Sequence, residues 1–401
     1  MTIFARFTPG ILRACLLGLL LTPQLVTAQS ISDLTLGDAL AAALANDTSG
    51  DQPDSPPYQA SSWLAGLPSA SLTYLGSDER YGTDETEFSV NLPVKSGSRR
   101  AADKKLTALG GELDELDMRR RELYYSGLIR EAVWSYSLAD ARRSAATDKR
   151  RLLLELETRQ RELVSASVAS EYTLLLLQME QVEVEIAQQG YLQEMRLWLE
   201  RYRQVTGLPS LPADIREPAL ANDSFRPAAH PRLRALELYH REHLQLLQAG
   251  SAEAADWNVA LTAKNFDTDG YDERQYGLGV EIPLTPLQVS RQSENSAWRS
   301  AEREYLLARD QLLKEMDGSW EQLLIQRETL VQKQSLLQRS QKLAARIAEQ
   351  LAQLRDSNEI AQEIVLRRMM DAIDTEAEVT INQVLIDQNN AMLLQAAGSS
   401  L

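Results

Sequence analysis

The sequence predicts a mostly α-helical chain with a small β part, its helices folded into long antiparallel coiled-coil hairpins and its strands into two short hairpins. Three observations carry that prediction. Between residues 99 and about 162 there is no proline, and Leu106, Leu109, Leu113, Leu116 and Leu123 recur at helical spacings among charged residues. A helix of that span, rising 1.5 Å per residue, reaches roughly 95 Å, a rod that no compact domain needs. Just before it, residues 87–93 alternate polar and apolar as a strand does. The same order, strand then rod, returns at 276–283 and 291 to about 354.

The elements follow in order. Thr35 is placed to cap a short helix running to Ala45. Residues 47–57, with Pro53, Pro56 and Pro57, read as a linker. A first strand at 69–75 and a second at 87–93 flank a polar, acidic loop, 76–86. Phe88, Val90 and Leu92 share one face of the second strand; Ser89 and Asn91 share the other. The first rod breaks at 163–170, where small and β-branched residues interrupt the charged pattern, and a helix returns over 171–205. So short a connection predicts antiparallel packing.

A proline-rich connector leads to His230-Pro231, which opens a helix to about 249. Strands at 256–264 and 276–283 then flank an acidic loop, 265–274. Leu278, Val280 and Ile282 share one face, with Gly279 and Glu281 on the other. The second rod breaks at 356–359 and returns to Gly398. The repeat period, roughly 190 residues, is that of a duplicated half rather than a solenoid. The resulting division is 1–28 signal peptide, 29–66 N-terminal helix and linker, 67–98 first β-hairpin, 99–205 first coiled-coil hairpin, 206–229 connector, 230–254 helix, 255–290 second β-hairpin and 291–398 second coiled-coil hairpin.

Composition fixes the compartment. Arg6 and Arg13 precede a short apolar run, and Val26 and Ala28 supply the small residues of a signal cleavage site before Gln29. Cleavage there removes two arginines and no acid, taking the net charge from −15 to −17, which argues against a nucleic-acid partner. The sole cysteine, Cys15, lies within the signal, and the apolar run on its far side does not make a lipoprotein site. Beyond Ala28 no stretch approaches the ~20 apolar residues of a transmembrane helix, so any membrane crossing must be made by strands.

The residues resemble those of the TolC-like outer-membrane efflux proteins over essentially the whole mature chain. The resemblance rests on the opening Leu34-Thr-Leu-Gly-Asp-Ala-Leu40, the strand Phe88-Ser-Val-Asn-Leu-Pro93 before a basic helix start, Arg203-Gln-Val-Thr-Gly207 and His230-Pro231. Pro283-Leu-Thr-Pro-Leu-Gln-Val-Ser-Arg291 looks most like the heavy-metal, CzcC-like branch. The resemblance implies a homotrimer in the outer membrane of a Gram-negative bacterium, each protomer giving four strands to a shared 12-stranded barrel and its helices to a periplasmic tube. It implies a passive exit duct serving an inner-membrane pump and a periplasmic adaptor, possible metal-ion cargo, outer-membrane lipid around the barrel, and no cofactor.

That reading assigns Phe88, Val90, Leu92, Leu278, Val280 and Ile282 to lipid. It puts adaptor-docking tips at Leu163, Val164, Ser165 and Ser167 and at Ser357, Asn358 and Glu359. The mouth-gate candidates are Glu171, Glu363, Arg367, Arg368 and Asp371; the competing reading is an intrahelical salt ladder of Glu359, Glu363, Arg367 and Asp371, which recur every four residues. The other function class is a periplasmic coiled-coil adaptor or scaffold without a pore. The cluster Lys95, Arg99, Arg100, Lys104 and Lys105 reads either as a solvated face or as a contact for lipid phosphates. His240 and His243, three apart, fall short of the four ligands of a closed zinc site. No nucleophile elbow or phosphate-binding glycine loop is visible, so an enzyme is not expected.

Overall fold

The structure, a computed structural model, describes residues 34–47, 61–168, 170–220, 225–250, 256–283, 292–353 and 359–401. The expected signal segment with Cys15, the prolines at 53–57, and Ser357 and Asn358 of the second break lie outside the described residues. The element order is α1 (Leu36–Ala45), β1 (Ser69–Leu75), β2 (Thr83–Val94), α2 (Gly97–Ser165), α3 (Glu171–Thr206), α4 (Pro231–Ala249), β3 (Trp257–Thr268), β4 (Tyr271–Glu281), α5 (Gln292–Gln353) and α6 (Glu359–Ala396).

Local chemistry sets the helix ends. Thr35 and Asp38 form a reciprocal capping box on α1: the Asp38 N–H donates to Thr35 Oγ1 at 3.2 Å and the Thr35 N–H to Asp38 Oδ2 at 3.0 Å. Ser96 caps α2, which then runs 69 residues without a break, about 100 Å at 1.5 Å per residue. Gly207, at φ 71°, closes α3, a left-handed conformation that a side chain would disfavour. Asn46 reinforces that end by donating its amide to the Gln204 carbonyl at 3.3 Å.

The four strands form one antiparallel sheet in the order β1-β2-β3-β4. Its central pairing, β2 with β3, joins the two halves of the chain from Thr83 opposite Thr268 to Val94 opposite Trp257. The strands are longer than the sequence pattern indicates. β2 and β3 have 12 residues each and β4 has 11, enough for the ~9–11 residues of a tilted membrane crossing. Residues 83–86 of the first acidic stretch expected to be loop, and all but 269–270 of the second, are therefore strand. Cross-strand partners explain this: Lys264 donates to Glu85 at 2.8 Å and to Glu87 at 2.9 Å, and the Thr83 and Thr268 hydroxyls bond at 2.9 Å. The turn between β3 and β4 shrinks to Asp269-Gly270, with Gly270 at φ 95°.

The rods lie side by side in the order α3-α2-α6-α5, with α4 against α2 and α5 and α1 against α2 and α3. The main apolar core sits in a belt part-way along them. There Ala39, Leu40 and Ala43 of α1 pack on Ile129, Ala132, Val133 and Trp134 of α2, with Tyr202 and Ala391. A second cluster seats Ala235 and Leu238 of α4 on Leu113 and Leu116 of α2.

Candidate functional site

The sheet has two chemically distinct faces, and the register aligns them across all four strands. One row reads Ala70, Val90, Leu261, Leu278, and the next Leu72, Phe88, Ala263, Tyr276. Leu92, Val259 and Val280 continue the same face toward the Val94–Trp257 pair. On the opposite face Ser71, Ser89, Thr262 and Gly277 make one row, with the Ser71 and Ser89 hydroxyls 2.8 Å apart. Asn91 and Gly279 lie in the adjacent row, and the Lys264–Glu85–Glu87 bridges stand on this polar side. Phe88, Val90, Leu92, Leu278 and Val280 thus share the apolar face, and Ser89, Asn91, Gly279 and Glu281 the polar one. Ile282 lies one residue beyond β4 and is half exposed. Leu72, Tyr276 and Leu278 project from the sheet with no helix over them. β1 and β4 each have one partner, so each keeps an open edge.

At the base of the sheet the basic cluster is largely consumed by internal bonds. Lys95 is buried and donates to the Ser61 carbonyl at 2.6 Å and to Asp103 at 2.6 Å. Arg99 donates to the Ala249 carbonyl at 2.6 Å, closing the C-terminus of α4. These two residues weld the sheet to the rods and are not available to lipid phosphates, whereas Arg100, Lys104 and Lys105 remain exposed.

Along the rods an ion pair links the two hairpins. Lys149 of α2 donates to Glu180 of α3 at 2.8 Å and to Asp374 of α6 at 3.0 Å. Burial pulls the Lys149 pKa down, but bonds to those two carboxylates outweigh it and hold the ammonium above its ordinary 10.5. Beside it is an open groove of about 450 Å³ between α2, α3 and α6.

No protein-family model and no curated protein matches the sequence. Solved structures do match the fold. CusC, studied for its transmembrane channel formation, superposes at TM-score 0.60 over 91% of this chain and 87% of its own, at 12% identity. The CmeC outer membrane channel of Campylobacter jejuni matches at TM-score 0.60 over 90% of this chain and 81% of its own, at 14% identity. The outer membrane protein VceC of Vibrio cholerae matches at 0.58 over 91% of this chain and 95% of its own, at 15% identity. The fold is that of the outer-membrane channels.

On this outer-membrane channel fold the first tip is a tight turn far from the sheet. α2 continues through Leu163, Val164 and Ser165, so these residues form its last turn rather than a loop. The Val168 N–H donates to the Leu163 carbonyl and the Ser167 N–H to Val164, both at 2.9 Å, with Ser167 at φ 56°. That is the bonding of a glycine-type helix stop, made here by serine. Ser170 then caps α3, whose first residue is the exposed Glu171. Glu359 begins α6, and the side chains of Glu359 and Glu363 are outside the described residues. Arg368 bonds Asp371 on its own helix at 3.1 Å. Arg367 is exposed nearby.

Sequence reasoning missed the most deeply buried charge of this outer-membrane channel fold. Arg130 of α2 has 0% exposure. It grips Glu217 of the connector through Nε at 2.9 Å and Nη2 at 2.6 Å, and its Nη1 donates to Gln395 and to the Ser399 carbonyl at 2.8 Å. Its signal was its place beside Ile129 and Val133, on the stripe that otherwise carries apolar residues. His240 and His230 make structural contacts. His240 stacks on Tyr305 at 4.0 Å and bonds Glu302 at 3.1 Å. His230 is buried at the start of α4. Among the described residues no group of three or more His, Cys, Asp or Glu could hold a metal, and no helix is long and apolar enough to cross a membrane.

Proposed function

We propose that the protein is a TolC-like exit duct of the outer membrane, a homotrimer whose sheets pool into one barrel and whose rods form a periplasmic tube. One observation carries the reading: a four-stranded sheet with one apolar face, one polar face and two open edges, joined to rods about 100 Å long. An isolated sheet of this kind exposes its apolar face to water and leaves two rows of backbone groups without partners. Closing a barrel with other copies in lipid removes both costs. The apolar row from Phe88 to Leu92 and Leu278 to Ile282 faces lipid in this reading, and Ser89, Asn91, Gly279 and Glu281 face the lumen.

Substrates reach the duct from an inner-membrane pump through a periplasmic adaptor that docks on the tips at 163–170 and 356–361. Metal ions are the cargo class indicated by the likeness of residues 283–291 to the heavy-metal branch. The gate residues Glu171, Glu363, Arg367, Arg368 and Asp371 belong to the same proposal and line the mouth near the tips.

The test uses the two sheet faces. A charge on the lipid face near mid-membrane costs ~2–4 kcal/mol, so Val90→Arg abolishes assembly into the outer membrane while Asn91→Arg leaves the membrane yield intact. The purified wild-type protein conducts in planar bilayers. Equal yields of the two variants, or a wild-type protein recovered as a soluble periplasmic rod, overturn the reading in favour of a scaffold without a pore.

A further inference from the structure

The apolar face of the sheet is short, and both of its ends are marked by polar residues. Its rows begin at the Val94–Trp257 pair beside the rods and end at the row of Leu72, Phe88, Ala263 and Tyr276. The next row on the same face is Tyr74, Thr86, Asn265 and Arg274, and Arg274 is exposed. The row beyond it sets Asp84, Asp267 and Asp272 side by side on three strands. At the other end the chain passes from Val94 to Lys95, tied to Ser61 and Asp103, and the residue before Trp257 is the exposed Asp256.

These ends set a height. Residues 87–94 of β2 lie between the Thr86 row and Lys95, and residues 257–264 of β3 between Asp256 and the Asn265 row, eight on each strand. At ~3.4 Å per residue that is about 27 Å along a strand, and a barrel tilt of ~35–45° leaves about 20 Å along the membrane normal. A membrane barrel ordinarily carries an apolar band about 25 Å tall and uses ~9–11 residues per strand to cross it. The shortfall is about 5 Å, one row of side chains.

The strands themselves are long enough, with 12 residues in β2 and 12 in β3. Only the apolar part is short, because polar side chains and the Arg274 guanidinium stand where its next row would be. A charge on the lipid face is costly inside hydrocarbon and tolerated near the interface, so the hydrocarbon ends at the Tyr276 row. Tyr74 marks the same boundary. Its hydroxyl points away from the apolar rows and donates to Asp84 at 2.7 Å, the arrangement of an aromatic ring with one apolar end and one wet end.

We propose that the lipid partner of this sheet is a thinned bilayer, its hydrocarbon compressed by about 5 Å around the protein and bounded, away from the rods, by Tyr74 and Tyr276. A span shorter than the local hydrocarbon is accommodated in this way. The proposal rests on the channel reading above and adds the thickness of lipid that the channel fits.

The test inserts the full-length protein into vesicles of dilauroyl, dimyristoyl, dipalmitoleoyl or dioleoyl phosphatidylcholine and reads the thermal midpoint in each by circular dichroism. The wild-type midpoint is highest in the dilauroyl lipid and falls as the chains lengthen. Thr86→Leu with Asn265→Leu and Arg274→Leu supplies the missing row and moves the peak to a longer-chain lipid. Arg274→Leu alone flattens the fall, which keeps the test open if the triple variant does not insert. Asn91→Leu with Thr262→Leu, on the polar face, leaves the peak in place. A wild-type midpoint highest in the dioleoyl lipid, or boundary-row variants with the wild-type profile, overturns the thin band and spares the channel reading. An equal shift from the polar-face pair also overturns it, since hydrophobicity and not height would then set the preference. A wild-type protein that inserts into none of these lipids overturns both readings.

Discussion

The belt and the distal rods fasten the same two hairpins in opposite ways. At the belt, Arg130 is fully buried and holds three separated segments together: α2, the connector at Glu217 and the tail at Gln395 and Ser399. Gly398, at φ 83°, fits against His230 and Pro231, where an added Cβ would lie 2.9 Å from both. Nearer the tips Lys149 bridges the hairpins beside the packing of Met370 on Leu153, Leu177 and Val184; its side chain is 17% exposed and its partner Asp374 is 56% exposed. Burial strengthens a charge pair that is fully bonded and makes it costly to break; exposure and solvent screening do the reverse. The belt is therefore the firmly held part of the hairpins and the distal rods the weakly held part.

The largest test breaks the belt. Arg130→Ala leaves Glu217 buried without its bidentate partner, and breaking such a pair costs about 3–5 kcal/mol. Thermal unfolding followed by circular dichroism then shows a marked drop in midpoint. A drop no larger than that of Lys149→Met would erase the contrast between the two ends.

The second test uses acid. His230 caps α4 through Nδ1, which accepts from the Arg232 N–H at 3.2 Å. Burial, with a smaller contribution from the Arg232 charge, lowers its pKa from 6.5 to about 4. A depressed folded pKa stabilises fully above 6.5, and the stabilisation is lost as pH falls from 6.5 toward 4, by about 3 kcal/mol in all. His230→Asn keeps a capping side chain but cannot titrate, so its stability is flatter over that window. Identical acid profiles for the two proteins would remove His230 from the account.

The smallest effect belongs to the distal link. Lys149→Met costs no more than about 1 kcal/mol, since Asp374 is half in solvent. The raised pKa keeps this contribution present below pH 10.5 and loses it as pH rises through the higher folded value. Hydrogen exchange in α6 around Asp374 should quicken in this variant while exchange at the belt stays unchanged. Faster exchange at the belt would mean that the two ends are not independent.

Much of this was legible in the residues themselves. Thr35, Gly207 and Pro231 mark helix ends by local backbone chemistry. The 3.6-residue and two-residue periodicities gave the rods and the sheet faces, because one buried face per element leaves its period in the sequence. The strand ends at Glu85 and Phe266 look like loop in the sequence because their acidic neighbours read as solvent-seeking until a cross-strand lysine neutralises them. The Asp269-Gly270 pair was the available sign of a tight turn.

The chain by itself determined its elements, their lengths to within a turn at most helix ends, and which face of each strand is apolar. Tertiary structure decided the rest. It paired β2 with β3 across at least 163 residues, from Val94 opposite Trp257 outward, turned Arg130 inward, and chose Asp374 rather than a neighbour on its own helix as a partner of Lys149. The reason is range. Periodicity and capping are set by residues within a turn or two. A buried arginine or a cross-hairpin bridge is set by groups that meet only after the rods have packed.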